Sequence, residues 1–229
     1  MSDFRIYGES APDLVPDSEG SPKLLREPRR LAASAGAAWI GQAWGLFTRR
    51  WGVWVGMSFV MLLITTVVSM LPLVGFLSNF LTLFFAGGMM LAAAALAEND
   101  DLEFVYLFGG FQHKFKELLI LTLLYFLVLL LVVFVFVVVM YLTGTNISDW
   151  DSEQPSVAAM AMYGWIILAG FAVLVPVSMM MWFATVLTVL DDVAPWQAMK
   201  MSFQGCVRNI LPFIVYGLVW LGLSLVVGL

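Results

Sequence analysis

Hydrophobic residues form five long runs along this chain, and the charged residues fall into the segments between them. Each run reaches the roughly 18 residues that a helix needs to cross the hydrocarbon core of a bilayer. The pattern predicts an all-α fold, a polytopic bundle of transmembrane helices. The five spans are predicted at residues 52–71, 77–96, 118–142, 160–190 and 210–229.

The fourth run is longer than one straight span requires. Residues 157–190 hold 34 positions without a charge. At about 1.5 Å per residue, one helix of that length would exceed a hydrocarbon core of about 30 Å. Pro176 lies inside the run, and proline removes a backbone hydrogen-bond donor. We therefore expect either a tilted helix that is kinked near Pro176 or a helix that extends beyond the bilayer.

Three amphipathic segments, each just before a span, superpose without gaps when Phe47, Phe111 and Cys206 are aligned. Apolar residues then fall at i, i+4, i+7 and i+11 in every segment. These residues are Ile40, Trp44, Phe47 and Trp51; Phe104, Phe108, Phe111 and Phe115; and Met199, Phe203, Cys206 and Ile210. The polar pairs that follow are Arg49 and Arg50, His113 and Lys114, and Arg208 and Asn209.

This alignment suggests a threefold parallel repeat, in which each unit is an interfacial helix, a group of basic residues at the headgroups and a helical hairpin. The alternative is that any helix lying on a bilayer shows the same spacing of apolar residues. Under the repeat hypothesis the third unit lacks its returning helix. The chain would then be truncated before a sixth span or completed by a neighbouring protein.

The beginning of the chain differs from the rest. Residues 1–30 contain four prolines among Ser, Gly, Asp and Glu, and bury too little apolar surface to offset the entropy of ordering. We predict a flexible cytoplasmic tail at 1–30 and a transmembrane helical domain at 31–229. No signal-peptide pattern is present near the N-terminus.

Composition and charge support this assignment and orient it. The chain is 62% hydrophobic and 12% charged, whereas soluble domains are about a quarter charged. With the N-terminus in the cytoplasm, all 11 Lys and Arg residues fall on the cytoplasmic side. Positive residues near span ends are retained on that side during insertion. The sequence predicts a multi-pass protein of the bacterial inner membrane with a cytoplasmic N-terminus.

Candidate chemistry is sparse. The chain has one histidine, His113, and one cysteine, Cys206, which exclude a multi-histidine metal site and an internal disulfide. Among ionisable types, only tyrosine occurs inside the predicted spans, although coupled transporters usually place such groups there. The sequence predicts a protein that is not an enzyme, uses no cofactor or metal, and binds no nucleic acid.

Cations and aromatic residues gather near the cytoplasmic ends of the spans. A cation near an anionic surface contributes about 1 kcal/mol to membrane binding, and tryptophan favours the headgroup layer. Anchoring in the phospholipid bilayer explains these residues, and binding of a specific phospholipid is the sharper alternative. The candidates are Arg49, Arg50, Trp51, His113, Lys114, Lys116, Trp196, Lys200 and Arg208.

Small residues recur in the second predicted span. Gly88 and Ala92 are four residues apart, and Gly87 is adjacent to Gly88. Such spacing lets two helix backbones approach closely in lipid. We expect Gly87, Gly88 and Ala92 to place this span at the centre of the bundle, or at an interface with a membrane-protein partner or a second copy.

Several short motifs resemble an uncharacterised proteobacterial family of integral inner-membrane proteins. They are Gly41–Phe47, Pro72–Gly75, Gly87–Met90, Leu107–Phe111, Trp182–Ala184 and Pro195–Phe213, of which the last is the most specific. The resemblance covers about residues 31–229 and implies membrane residence and six spans. It implies no catalytic or binding residue.

Two functions fit the sequence. The first is a non-enzymatic membrane subunit or scaffold, which engages partners through its interfacial helices and small-residue faces. The alternative is a carrier or permease for a lipid-like or apolar solute, which would use a cavity between repeat units. A tightly packed bundle favours the first function, and a wide cavity that opens to lipid favours the second.

Overall fold

A computed structural model describes residues 14–16, 22–25, 28–71, 75, 77–98, 101–142 and 157–228. The polar loop at 143–156, most of the Pro72–Gly75 motif and most of the tail at 1–30 lie outside the described residues. Within the tail, two short strands pair antiparallel, β1 (Leu14–Pro16) and β2 (Pro22–Leu25). The flexibility of the tail stays a prediction.

The rest of the described chain is helical, which confirms the all-α prediction. The α-helices are α1 (Ala35–Arg49), α2 (Trp51–Ser69), α3 (Leu77–Ala97), α4 (Gly109–His113), α5 (Phe115–Leu142), α6 (Val157–Trp182), α7 (Ala184–Leu190), α8 (Pro195–Arg208) and α9 (Ile210–Gly228). A 3-10 helix, Phe104–Phe108, directly precedes α4.

Four of the described helical segments are long and apolar enough to cross a membrane. They are Trp51–Ser69, Leu77–Ala97, Phe115–Leu142 and Gly164–Leu190. Helices α8 and α9 meet at 79° and together pass the same test, which raises the number to five. Large apolar side chains of α5, such as Leu131 and Phe134, are exposed, as expected for a helix in lipid. The prediction of a polytopic bundle is confirmed.

Helix α3 lies at the centre of the bundle. Two adjacent residues of α3, Phe84 and Phe85, are both buried, but they belong to two different apolar clusters. Phe84 packs with Leu118 of α5, and Phe85 packs with Met57 of α2. Because consecutive helix residues point in different directions, α3 joins the two clusters.

The fourth span is interrupted seven residues after Pro176. Helix α6 continues through Pro176, and the break before α7 lies at Phe183. The hydroxyl of Ser202 in α8 donates to the backbone oxygen of Met179 at 2.7 Å and accepts from the backbone N–H of Phe183 at 2.9 Å. These two backbone groups would otherwise bond to each other. Helices break where a side chain inserts into the hydrogen-bond ladder in this way.

Candidate functional site

Three one-residue breaks between helices, which we call corners, fall at the positions that the sequence alignment superposes. Each corner residue lies between the end of an amphipathic segment and the start of the next long helix. Their backbone angles are similar: φ −143° and ψ 47° at Arg50, φ −129° and ψ 30° at Lys114, and φ −123° and ψ 33° at Asn209. We call Arg50, Lys114 and Asn209 the corner residues.

The first corner residue contacts the segment that leads into the second unit. An Nη atom of Arg50 donates to a carboxylate oxygen of Asp101 at 2.6 Å, and Asp101 lies three residues before the 3-10 helix. The adjacent Arg49 donates to the backbone oxygen of Leu96 near the end of α3, at 3.3 Å. Both partners of the ion pair are exposed, so it contributes at most about 1 kcal/mol. Its main effect is to position the two segments.

The second corner residue contacts the segment that leads into the third unit. The ammonium group of Lys114 forms an ion pair with Asp192, which lies three residues before α8. The side chain of Lys114 is largely buried, whereas that of Asp192 is exposed. Asp192 has a φ of 55°, a left-handed conformation that aspartate tolerates better than most residues.

The third corner residue contacts the segment that leads into the first unit. Asn209 is buried, and its side-chain amide donates to the backbone oxygens of Arg29 and Gly205, both at 2.9 Å. Its side-chain oxygen accepts from the backbone N–H of Leu31 at 2.8 Å. Residues 29–31 lie just before α1. Asn209 therefore connects the segment before α1 to the corner between α8 and α9.

Taken together, the three contacts close a cycle, which we call the corner ring. Each corner residue binds the segment that enters the next unit, and the third unit binds back to the first. Helix packing follows the same order: α2 packs on the 3-10 helix, α5 on α8, and α9 on α1. The corner ring is a structural observation in favour of the threefold repeat.

The contact between α1 and α9 closes this cycle. A Cβ atom at Gly36 would lie 2.0 Å from the backbone oxygen of Pro212, so the two helices approach as closely as their backbones allow. The ring of Trp39 packs edge-on against Phe213, with the ring centroids 5.4 Å apart. A larger residue at position 36 would force the helices apart.

We expect Asn209→Leu to release the segment before α1. Leucine cannot pair with the backbone groups of Arg29 and Leu31, and leaving buried polar groups unpaired costs about 1–3 kcal/mol each. Trypsin should then cleave after Arg29 and Arg30 several-fold faster, as measured by gel or mass spectrometry. Gln204→Leu on the exposed face of α8 is the matched control. An unchanged cleavage rate in Asn209→Leu would contradict the role of this side chain.

The other lipid-interface candidates are spread over the surface. Trp51, His113, Lys116 and Arg208 belong to exposed positions at or beside the corners. In α8, the ammonium group of Lys200 lies 5.1 Å from the centre of the Trp196 ring, a cation–π contact. Of the predicted lipid-interface candidates, Arg50 and Lys114 belong to the corner ring, whereas Trp196 and Lys200 do not. Their contact with lipid stays a prediction.

The small residues of α3 face other helices of the same chain. A Cβ atom at Gly88 would lie 2.2 Å from the backbone oxygen of Leu107, and one at Gly87 would lie 3.0 Å from a methyl group of Leu118. Ala92 is fully buried. Of the two expected locations, the structure thus places Gly87, Gly88 and Ala92 at the centre of the bundle.

Sequence reasoning missed four residues of these contacts. Asn209 occupies the same aligned position as Arg50 and Lys114, and this was the available signal. Asp101 and Asp192 gave no specific signal, because a carboxylate shortly before a helix is ordinary in a solvated loop. Ser202 gave no signal, because one serine on an amphipathic helix is ordinary.

A cavity of about 560 Å³ opens between α3 and α5, with a side chain of α6 at its edge. It therefore lies between the first and second units. Its lining residues are Asn79, Phe80, Thr82, Leu83, Ala86, Thr122, Tyr125, Phe126, Leu129 and Met181. The hydroxyls of Thr82 and Thr122 donate to the backbone oxygens of Ser78 and Leu118, so the cavity presents mainly apolar groups.

Comparison with known proteins gives one partial match. No family model matches the chain, and no solved structure matches it. A probable inner membrane protein of Burkholderia thailandensis is 48% identical over 58 residues, which cover 25% of this chain and 22% of that relative. The chain is a multi-pass membrane protein. The matched part is less than a quarter of the relative's length. The name of this relative and the apolar helices together support the predicted inner-membrane location.

Proposed function

We propose that this protein is a non-enzymatic scaffold of the inner membrane, with its N-terminus in the cytoplasm and with the corner ring as a rigid face for a membrane-protein partner. The observation that carries the proposal is the closed cycle of corner contacts. It fixes all three amphipathic segments relative to one another. A preformed surface of this kind lowers the ordering cost of association.

The chemistry of the spans also supports a scaffold. Between residues 118–142, and along α2, α3, α6, α7 and α9, tyrosine is the only ionisable residue type. Proton- or ion-coupled carriers usually place Asp, Glu, His or Arg within their spans. Two of the charged candidates, Arg50 and Lys114, form ion pairs at the helix corners.

Exposed groups beside the corner ring indicate the character of the partner. The rings of Trp44, Trp51 and Trp196 are all about half exposed or more, and Lys200 and Arg208 lie at exposed positions. Aromatic residues and arginine are enriched at protein interfaces. We propose a partner that presents apolar and acidic residues near the cytoplasmic ends of its own spans.

The test is affinity purification in mild detergent through an N-terminal tag, followed by native mass spectrometry. We expect the wild type to carry a stoichiometric partner and Arg50→Asp to lose that partner several-fold. The double variant, Arg50→Asp with Asp101→Arg, should recover the partner because the swap restores the corner ion pair. Arg50→Lys, which keeps the positive charge at this corner, is the control and should retain the partner. The same tag should be protected from protease added outside spheroplasts.

Two outcomes would reject the scaffold proposal. One is a wild-type protein that carries no stoichiometric partner in any mild detergent. The other is a partner that the Arg50→Asp variant retains unchanged. Protease access to the tag from outside would reject the proposed orientation alone.

A carrier for a lipid-like or apolar solute is the second candidate function. The observation that favours it is the cavity between the first and second units. In reconstituted vesicles, a carrier should accelerate the transfer of a fluorescent phospholipid between leaflets above the rate in protein-free vesicles. An equal rate would count against a carrier of phospholipids.

A further inference from the structure

We infer that the cavity between α3 and α5 binds a single hydrocarbon chain. Its volume of about 560 Å³ lies within the range of about 300–1,000 Å³ that is typical of small-molecule sites. Such sites are mostly apolar and carry a few polar groups, as this cavity does. The inference goes beyond the scaffold function and requires no transport.

The lining of the cavity runs along two helices, which suits a hydrocarbon chain. Its lining recurs at each helical turn, from Asn79 to Ala86 on α3 and from Thr122 to Leu129 on α5. Seven helical steps correspond to about 10 Å, so the cavity extends for two turns parallel to the helix axes. Lipid tails have the same direction in a bilayer.

Six of the ten lining residues are apolar, so the walls favour a mainly apolar ligand. The two threonine hydroxyls of the lining are satisfied by their own helices, at 2.8 Å for Thr82 and 2.7 Å for Thr122. The rings of Phe80 and Phe126 contact each other across the two helices, with centroids 6.2 Å apart. A water molecule needs two to four polar partners to remain in such a space. Hydrocarbon therefore fits the cavity better than water or a polar solute.

Two sources can supply this chain, a phospholipid of the bilayer or a free fatty acid. The test measures lipids that remain with the full chain after purification in mild detergent, by mass spectrometry of the extracted lipids. We expect about one retained lipid per wild-type protein and a loss of at least about fivefold in Ala86→Trp, whose indole would fill the cavity. Phospholipid or free fatty acid in the extract identifies the source.

A matched control lies on another helix. Ala172→Trp introduces the same side chain into the shallow groove between α6 and α8, and should retain the lipid. Equal retention by wild type and Ala86→Trp would overturn the inference, and so would a wild type without any retained lipid. Loss in both tryptophan variants would also overturn it, because binding would not depend on this cavity.

If size-exclusion chromatography shows that Ala86→Trp misfolds, two further experiments test the inference. Leu129→Trp fills the cavity from the opposite wall and should give the same loss. In the wild type, a phospholipid with a diazirine in one acyl chain and a diazirine fatty acid serve as probes. Photolabelling within residues 79–86 or 122–129 supports the site, and labelling confined to other segments overturns it. None of these outcomes depends on the protein partner of the scaffold proposal.

Discussion

Gly36→Ala is expected to separate α1 from α9 and to lower the free energy of unfolding by about 1–3 kcal/mol, the usual cost of overpacking. The added methyl group would lie 2.0 Å from the backbone oxygen of Pro212 and 2.8 Å from the backbone nitrogen of Tyr216. Backbone atoms cannot move aside as the end of a flexible side chain can. The helices must therefore shift, and the Trp39–Phe213 contact should be lost. Thermal unfolding in detergent, followed by circular dichroism, measures the loss of stability.

The same helix provides the control for this prediction. A Cβ atom at Gly41 meets no neighbouring atom within 4 Å, so Gly41→Ala adds a methyl group without a clash. Alanine also favours helix over glycine by about 1 kcal/mol, and Gly41→Ala should therefore be neutral or stabilising. Equal melting temperatures for Gly36→Ala and Gly41→Ala would show that α1 and α9 do not pack this closely.

The spans could be predicted from sequence because membrane insertion depends on local quantities. Run length and apolar content decide whether a helix crosses the bilayer, and both can be counted along the chain. The first span was predicted at 52–71 and the helix is Trp51–Ser69; the second was predicted at 77–96 and the helix is Leu77–Ala97. Alignment of the amphipathic segments also located the corners, since its polar pairs mark the residues at which the helices end.

The corner contacts could not be predicted, because they join residues that are distant in sequence. Arg50 and Asp101 are 51 residues apart, and Asn209 and Leu31 are 178 residues apart. A carboxylate beside a helix start looks the same whether it is solvated or paired. Only the cyclic arrangement of the units, which is a property of the fold, brings each corner to its partner.

The break in the fourth span illustrates the same limit. Proline was the visible signal, and Pro176 lies inside a helix that continues past it. Neighbouring groups in a membrane bundle often accommodate an intrahelical proline. The observed break at Phe183 instead depends on a hydroxyl from α8, 19 residues further along the chain.

Ser202→Ala is expected to lower the free energy of unfolding by about 2 kcal/mol or more, because it removes both hydrogen bonds that hold the break. The serine is buried, and it satisfies the backbone N–H of Phe183 and the backbone oxygen of Met179 at once. Without the hydroxyl, the Phe183 amide either stays unpaired or bonds to the Met179 oxygen, which also accepts from the Cys206 thiol at 3.6 Å. The second outcome would extend α6 and displace α7 from its packing against α3 and α5.

Three comparisons separate this role from general damage. Ser202→Thr retains a hydroxyl and should recover part of the stability. Ser178→Ala, an exposed serine of α6 that bonds only to Val175 of its own helix, should change little. Hydrogen–deuterium exchange should be faster at the Phe183 amide in Ser202→Ala if the amide is left unpaired, and slower if α6 becomes continuous. If Ser202→Ala has the same stability and the same exchange rates as the wild type, the break has another cause, and α8 does not determine where the fourth span bends.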